Sequence, residues 1–126
     1  MATITPRQLA LLAAETCDEK KAKEIVVLDV RKITSISDYF IVCSTSNERQ
    51  ARAIAEGMRM KLKEMGRREL GVEGLDDARW VLQDFGDIVL HIFHESQREF
   101  YDIEGLWADA KQVRWKTPSK RKGSSS

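Results

Sequence analysis

Cysteine is scarce in this chain and long apolar runs are missing. Only Cys17 and Cys43 occur among 126 residues. Cys43 sits inside an apolar run, so no disulfide framework is expected and both thiols read as reduced, as in a cytosolic protein. No stretch approaches the roughly 20 apolar residues needed to cross a bilayer, and the N-terminal residues lack the apolar segment of a secretory leader. The expected setting is cytoplasmic, without membrane. Aromatic residues number nine. Net charge is almost absent, at +1.

That near-neutrality hides a partition. Residues 1–72 carry 13 Lys and Arg against 10 Asp and Glu, residues 73–110 carry two against ten, and residues 111–126 carry six bases and no acids. Sign asymmetry on this scale concerns partners rather than fold. Hydrophobic content of 42% and charged content of 33% describe one soluble globular domain. At this length it buries roughly two-thirds of its unfolded surface.

The scarce aromatics are concentrated. Six of the nine fall between Trp80 and Trp107, inside the acidic block. Anchoring rings in a field of one sign suit a docking surface for a basic partner. A nucleic-acid face would need the opposite sign. WVLQDF and IVLHIF flank Gly86-Asp87, which reads as a two-residue hairpin. Phe85 then faces Ile88, Gln83 faces Leu90 and Val81 faces Ile92. Trp80, Leu82, Asp84, Val89, His91 and Phe93 share the other face. Both faces are apolar, so both need covering, one by the domain's own helices and the other by a further element, a second copy or a partner. Ser96-Gln97-Arg98-Glu99 has the pattern of a capping box opening a short helix. Asp102 can cap a second turn, with Phe100, Ile103, Leu106 and Trp107 spaced to dock on the sheet and Tyr101 pointing elsewhere.

Upstream, Thr5-Pro6 starts a helix ending near Lys21. Glu24–Val30 and Asp38–Ser44 are strands with continuous apolar middles, joined by a loop over Arg31–Ser37. Thr45 to Glu48 supplies caps for a helix to about Met65. Its buried stripe is Ala51, Ile54, Ala55, Met58, Leu62 and Met65, and Arg49, Arg52, Arg59, Lys61 and Lys63 dominate its polar side. Arg68–Val72 reads as a short edge strand. The tail from Lys116 has no pattern and is expected to be disordered, its bases able to touch nucleic-acid phosphates. The fold class is α/β: a single domain over residues 1–115, with a mixed β-sheet packed with helices, followed by the basic tail 116–126.

Catalytic chemistry is poorly provided for. Asp84 and His91, diagonal neighbours, have the placement of an acid–base dyad, but with no obvious nucleophile or phosphate-cradling glycine loop nearby a structural or partner-facing pair is expected instead. His91 and His94 point to opposite faces and cannot chelate one metal together. Ser44-Thr45-Ser46-Asn47, between strand and helix, resembles an anion site but lacks glycines and a lysine, and reads more simply as a cap. No catalytic or metal-binding residue and no cofactor is assigned.

Asp38–Glu56, DYFIVCSTSNERQARAIAE, together with WVLQDFGDIVLHIF and REFYDIEGLWADA, resembles the ribosomal silencing factor family, also called Iojap. The likeness covers roughly residues 5–110 and omits the tail. It implies a nucleotidyltransferase-like topology without the catalytic residues. The family's nucleotidyltransferase likeness calls for a Gly-Ser turn and an Asp-x-Asp pair, whereas this chain has Asp29-Val30-Arg31 and no such turn. The resemblance further implies binding to the large ribosomal subunit through its ribosomal protein fourteen, blocking association with the small subunit and repressing translation; organellar relatives are tied to ribosome assembly. The residues expected at the partner face are Tyr101 first, then Trp80, Asp84, His91, Phe93, Glu95, Arg98 and Asp102. Gln83, where the family usually has an apolar residue, is expected to be half-exposed. A peripheral ribosomal RNA contact by the tail and a homodimer in the free state, covering the same aromatic face, are also expected. The alternative is a nucleotidyltransferase-type enzyme acting on nucleotides.

Overall fold

The computed structural model describes residues 4–101 and 108–116. Among them the order is α1 (Pro6–Glu19), β1 (Lys23–Asp29), β2 (Tyr39–Thr45), α2 (Glu48–Glu64), β3 (Gly71–Glu73), β4 (Trp80–Asp84), β5 (Ile88–His94), α3 (Glu95–Tyr101) and β6 (Lys111–Val113). The strands form one six-stranded sheet in the order β3-β4-β5-β2-β1-β6. β2 and β5 run parallel at its centre and all other neighbours are antiparallel.

Local chemistry explains the helix starts. Thr5 accepts from the Gln8 amide while the Gln8 side chain accepts from the Thr5 amide, a reciprocal cap that satisfies two free donors ahead of Pro6. Asn47 caps α2 by accepting from the Gln50 amide at 2.8 Å. Glu48 in its first turn and Lys61 and Lys63 in its last oppose the helix dipole with the favourable sign.

β2 and nearly all of β5 are buried along their whole length, and helices α1 and α2 pack on one face of the sheet. On that face Leu9, Ala13, Ile54, Met58 and Leu62 of the helices meet Ile41, Val81, Leu90 and Ile92 of the sheet. The second face carries Leu28, Val30, Phe40, Val42, Val89 and Phe93, with Trp80, Leu82, Val26 and Ala110 half-buried around them. Alternation along each strand assigns these sets, so the parity expected for the hairpin holds. The β4–β5 register pairs Val81 with Ile92 and Gln83 with Leu90, and the Phe85 amide donates to the Ile88 carbonyl to close the turn.

Four details differ from the sequence reading. The edge strand forms at Gly71–Glu73, three residues further along than expected at its start. Met65 lies beyond α2 and is 44% exposed. Ser96 is not a helix cap: α3 begins at Glu95, directly after β5, and the His94 ring Nδ1 accepts from the Ser96 amide instead. The short strand β6, paired with β1, was not anticipated. The expected docking of Ile103, Leu106 and Trp107, and the disorder expected of residues 117–126, lie outside the described residues.

Candidate docking face

The second face of the sheet narrows to an aromatic cluster where β4, β5 and β2 meet. Register places Trp80 opposite Phe93 and Leu82 opposite His91, with Val42 alongside His91 on β2. Trp80 stacks on Phe93 with ring centroids 5.0 Å apart, and Phe40 meets His91 edge-on at 4.9 Å. The Trp80 indole Nε1–H donates to His91 Nδ1 at 3.3 Å. His91 is buried, which lowers its pKa to about 4 and keeps the ring neutral at physiological pH. With Nδ1 accepting, the ring proton sits on Nε2, which has no hydrogen-bond partner among the described residues.

Toward the β3 edge this face opens. Trp80, Leu82 and Asp84 on β4 are half-buried, and β3 sets exposed Glu73 beside Leu82 and Gly71 beside Asp84. A Cβ at Gly71 would meet nothing within 4 Å. The result is an apolar strip of Trp80 and Leu82 bordered by two carboxylates. Asp84 also holds the hairpin, its Oδ1 accepting from the Gly86 amide at 2.8 Å in an Asx turn. Loop acids Asp76 and Asp77 are exposed in the connection leading to Trp80.

The expected site residues divide. Trp80, Asp84 and exposed Glu95 lie where a partner can reach them. Phe93 is 0% exposed and stacks on Trp80. His91 is likewise buried and bonded to Trp80. Arg98 is buried, because α3 folds back on the sheet: its Nη1 donates to Ser44 Oγ at 2.7 Å, and that hydroxyl donates to Glu24 Oε1 at 3.0 Å. Tyr101 closes α3, with its side chain outside the description, and Asp102 lies outside the described residues. Glu73 was missed because the edge strand was placed too early. Strand alternation already puts Leu82 on this face. Gln83 is fully buried on the helix face, where its Nε2 donates to the Ala55 carbonyl at 2.8 Å and to Glu69 Oε2 at 2.7 Å. The expected half-exposure is therefore overturned, since a long amide inside the core can reach a helix carbonyl.

The catalytic alternatives find little geometry. Asp84 and His91 are not paired, as each is engaged elsewhere. Asp29 is clamped by Arg31, whose Nε and Nη2 donate to its two oxygens at 3.0 and 2.7 Å, holding the carboxyl below its ordinary pKa. A carboxylate so occupied is a poor metal ligand. Beyond the carboxyl ends of β2 and β5 lies a cleft of about 640 Å³ lined by Asn47, Glu48, Arg49, Asp77, Arg79 and His94 among others. Its two arginines face two acids, so it carries no clear field of one sign.

Comparison with known proteins places these features among relatives. The family described as ribosomal silencing factor during starvation matches residues 3–126. The chain is 40% identical over 104 residues to the ribosomal silencing factor RsfS of Bacillus subtilis, covering 82% of this chain and 88% of that one. It is 29% identical over 92 residues to the mouse protein named mitochondrial assembly of ribosomal large subunit protein 1, covering 71% of this chain and 40% of that one. A crystal structure of a Chromobacterium violaceum protein superposes with a TM-score of 0.78 at 38% identity, covering 86% of this chain and 88% of that one.

Proposed function

The chain belongs to the ribosomal silencing factor family, and we propose that it docks on the large ribosomal subunit through the Trp80–Leu82 strip, blocking association with the small subunit. The partner is a basic ribosomal protein, ribosomal protein fourteen, and the outcome is repressed translation. The observation that carries this reading is the open end of the second sheet face. Two half-buried apolar side chains lie there between Glu73 and Asp84, on strands held rigid from below by Phe93 and His91. An anchor seated in a fixed apolar floor with a rim of charge is the usual anatomy of a hot spot. Tyr101 belongs to the same acidic segment and serves as a second anchor. The relative named for assembly of the ribosomal large subunit supports the choice of subunit.

Sucrose-gradient sedimentation with isolated subunits tests the reading. The protein should migrate with large subunits, and adding it before small subunits should reduce joined ribosomes. Protein left at the top of the gradient, or joining unaffected at saturating protein, rejects it. When free, the protein covers the same strip in a homodimer, so sedimentation velocity should show dimers that dissociate as large subunits are added.

A further inference from the structure

The helix layer carries the opposite field, and nothing in the docking reading uses it. Arg49, Arg52, Arg59 and Lys63 recur at helical spacing along the outer ridge of α2, a length of about 21 Å. Beside the ridge, where residues 67–70 leave the helix for β3, two adjoining hollows of about 580 and 340 Å³ form one groove. Five bases line it (Arg52, Arg59, Lys63, Arg67 and Arg68) against two acids, Glu56 and Glu69. Arg52 is fixed in place, donating to the Leu75 and Asp76 carbonyls and pairing with Glu48 at 3.5 Å. Arg59 pairs with Glu56 and Arg67 with Asp87. Lys63 and Arg68 are exposed and have no carboxylate partner among the described residues. Met60, 57% exposed, adds an apolar patch to the floor.

We propose that this groove binds the phosphate backbone of RNA. Lys63 and Arg68 carry its exposed charges without a carboxylate partner among the described residues, and the Arg68 fork can meet phosphate oxygens two at a time. Charges repeated along a straight ridge suit a polymer with a charge on every nucleotide. The groove opens on the helix layer and the acidic strip on the opposite face, so one molecule can hold a basic protein and an RNA strand at once. The inference borrows from the docking reading only the source of the RNA, the ribosome itself.

The test uses the full chain and a fluorescein-labelled 20-nucleotide RNA of mixed sequence, with anisotropy followed across sodium chloride concentration. The double variant Lys63→Gln, Arg68→Gln removes two exposed charges and no buried contact, so it should stay folded, with a melting temperature only a few degrees lower for the lost Lys63 charge at the α2 C-terminus. It should bind at least about fivefold more weakly at low salt, and its log–log salt slope should be shallower by about 1 to 2, near 0.7–0.9 per lost phosphate contact. A parallel variant, Lys120→Ser, Arg121→Ser, Lys122→Ser, should keep that groove-dependent share. Unchanged affinity and slope in the groove variant overturn the proposal. So does complete loss of RNA binding in the tail variant alone. Equal competition by polyglutamate of matched charge overturns it in favour of an acidic protein, and loss of self-association without loss of RNA binding overturns it in favour of a second copy. A groove variant that loses RNA yet still sediments with large subunits separates this proposal from the docking reading.

Discussion

A histidine held neutral under an indole has a consequence for stability. Unfolded, His91 titrates near the ordinary value of about 6.5, whereas folded it titrates at about 4 because burial penalises the cation. Between these values the unfolded chain binds a proton that the folded chain refuses, so stability falls as pH drops through that window. At pH 5 the loss from this one group is about 2 kcal/mol relative to pH 7. Urea unfolding of wild type and His91→Gln should diverge accordingly, with the variant losing less on acidification. Parallel pH dependences would show that His91 does not set the slope. At the surface, Tyr101→Ala should weaken large-subunit binding by about 2 kcal/mol or more, roughly thirtyfold in Kd, with the fold intact. Unchanged sedimentation of a folded variant removes Tyr101 from the interface. Side-chain type was only partly informative at this scale. Alternation identified the face of Phe93 and His91 but not their depth, because depth depends on what lies over a strand. Arg98 and Gln83 are buried despite their length and polarity because a specific acceptor awaits each, here Ser44 and the Ala55 carbonyl. Neither acceptor is near in sequence.

Elements were more legible than residues wherever a local signal fixed their ends. The Gly86-Asp87 turn set the hairpin register, Gly86 taking φ +89. Asn47 and Gly66 bounded α2. Short elements were not legible. β6 has three residues, too few to show a period, and exists because β1 offers an edge. β3 ends at Glu73 because Gly74 turns the chain out of the strand toward β4. That glycine has φ +87, and a Cβ there would run into the Trp80 carbonyl. Gly74→Ala therefore strains the backbone where β3 hands over to the strand bearing Trp80. It should cost at least about 2 kcal/mol in denaturant unfolding and weaken large-subunit binding of the fraction still folded. A substitution that leaves both unchanged means the connection does not position Trp80.

At the scale of the whole molecule the charge partition becomes spatial. The acidic block, with two Lys and Arg against ten Asp and Glu over residues 73–110, supplies β4, the hairpin and the loop around the Trp80–Leu82 strip, while the bases of α2 point away on the other layer. This much was visible as a sequence asymmetry, although its arrangement on opposite layers required the sheet order. A protein polarised in this way is steered as it approaches a basic surface. Glu73 stands at the rim, exposed and beside Leu82, so it contributes to the field without being desolvated. Rim charges act mainly on association, and buried anchors on dissociation. Glu73→Lys should therefore lower the association rate with immobilised large subunits by about fivefold at low salt, with little change in the dissociation rate. Raising salt should slow wild-type association steeply, because screening shortens the reach of the field to about 8 Å at physiological ionic strength. The variant should respond less, and the two rates should converge. Association that is insensitive to both the substitution and salt would mean that the acidic face does not guide the encounter, and that the strip meets an uncharged surface.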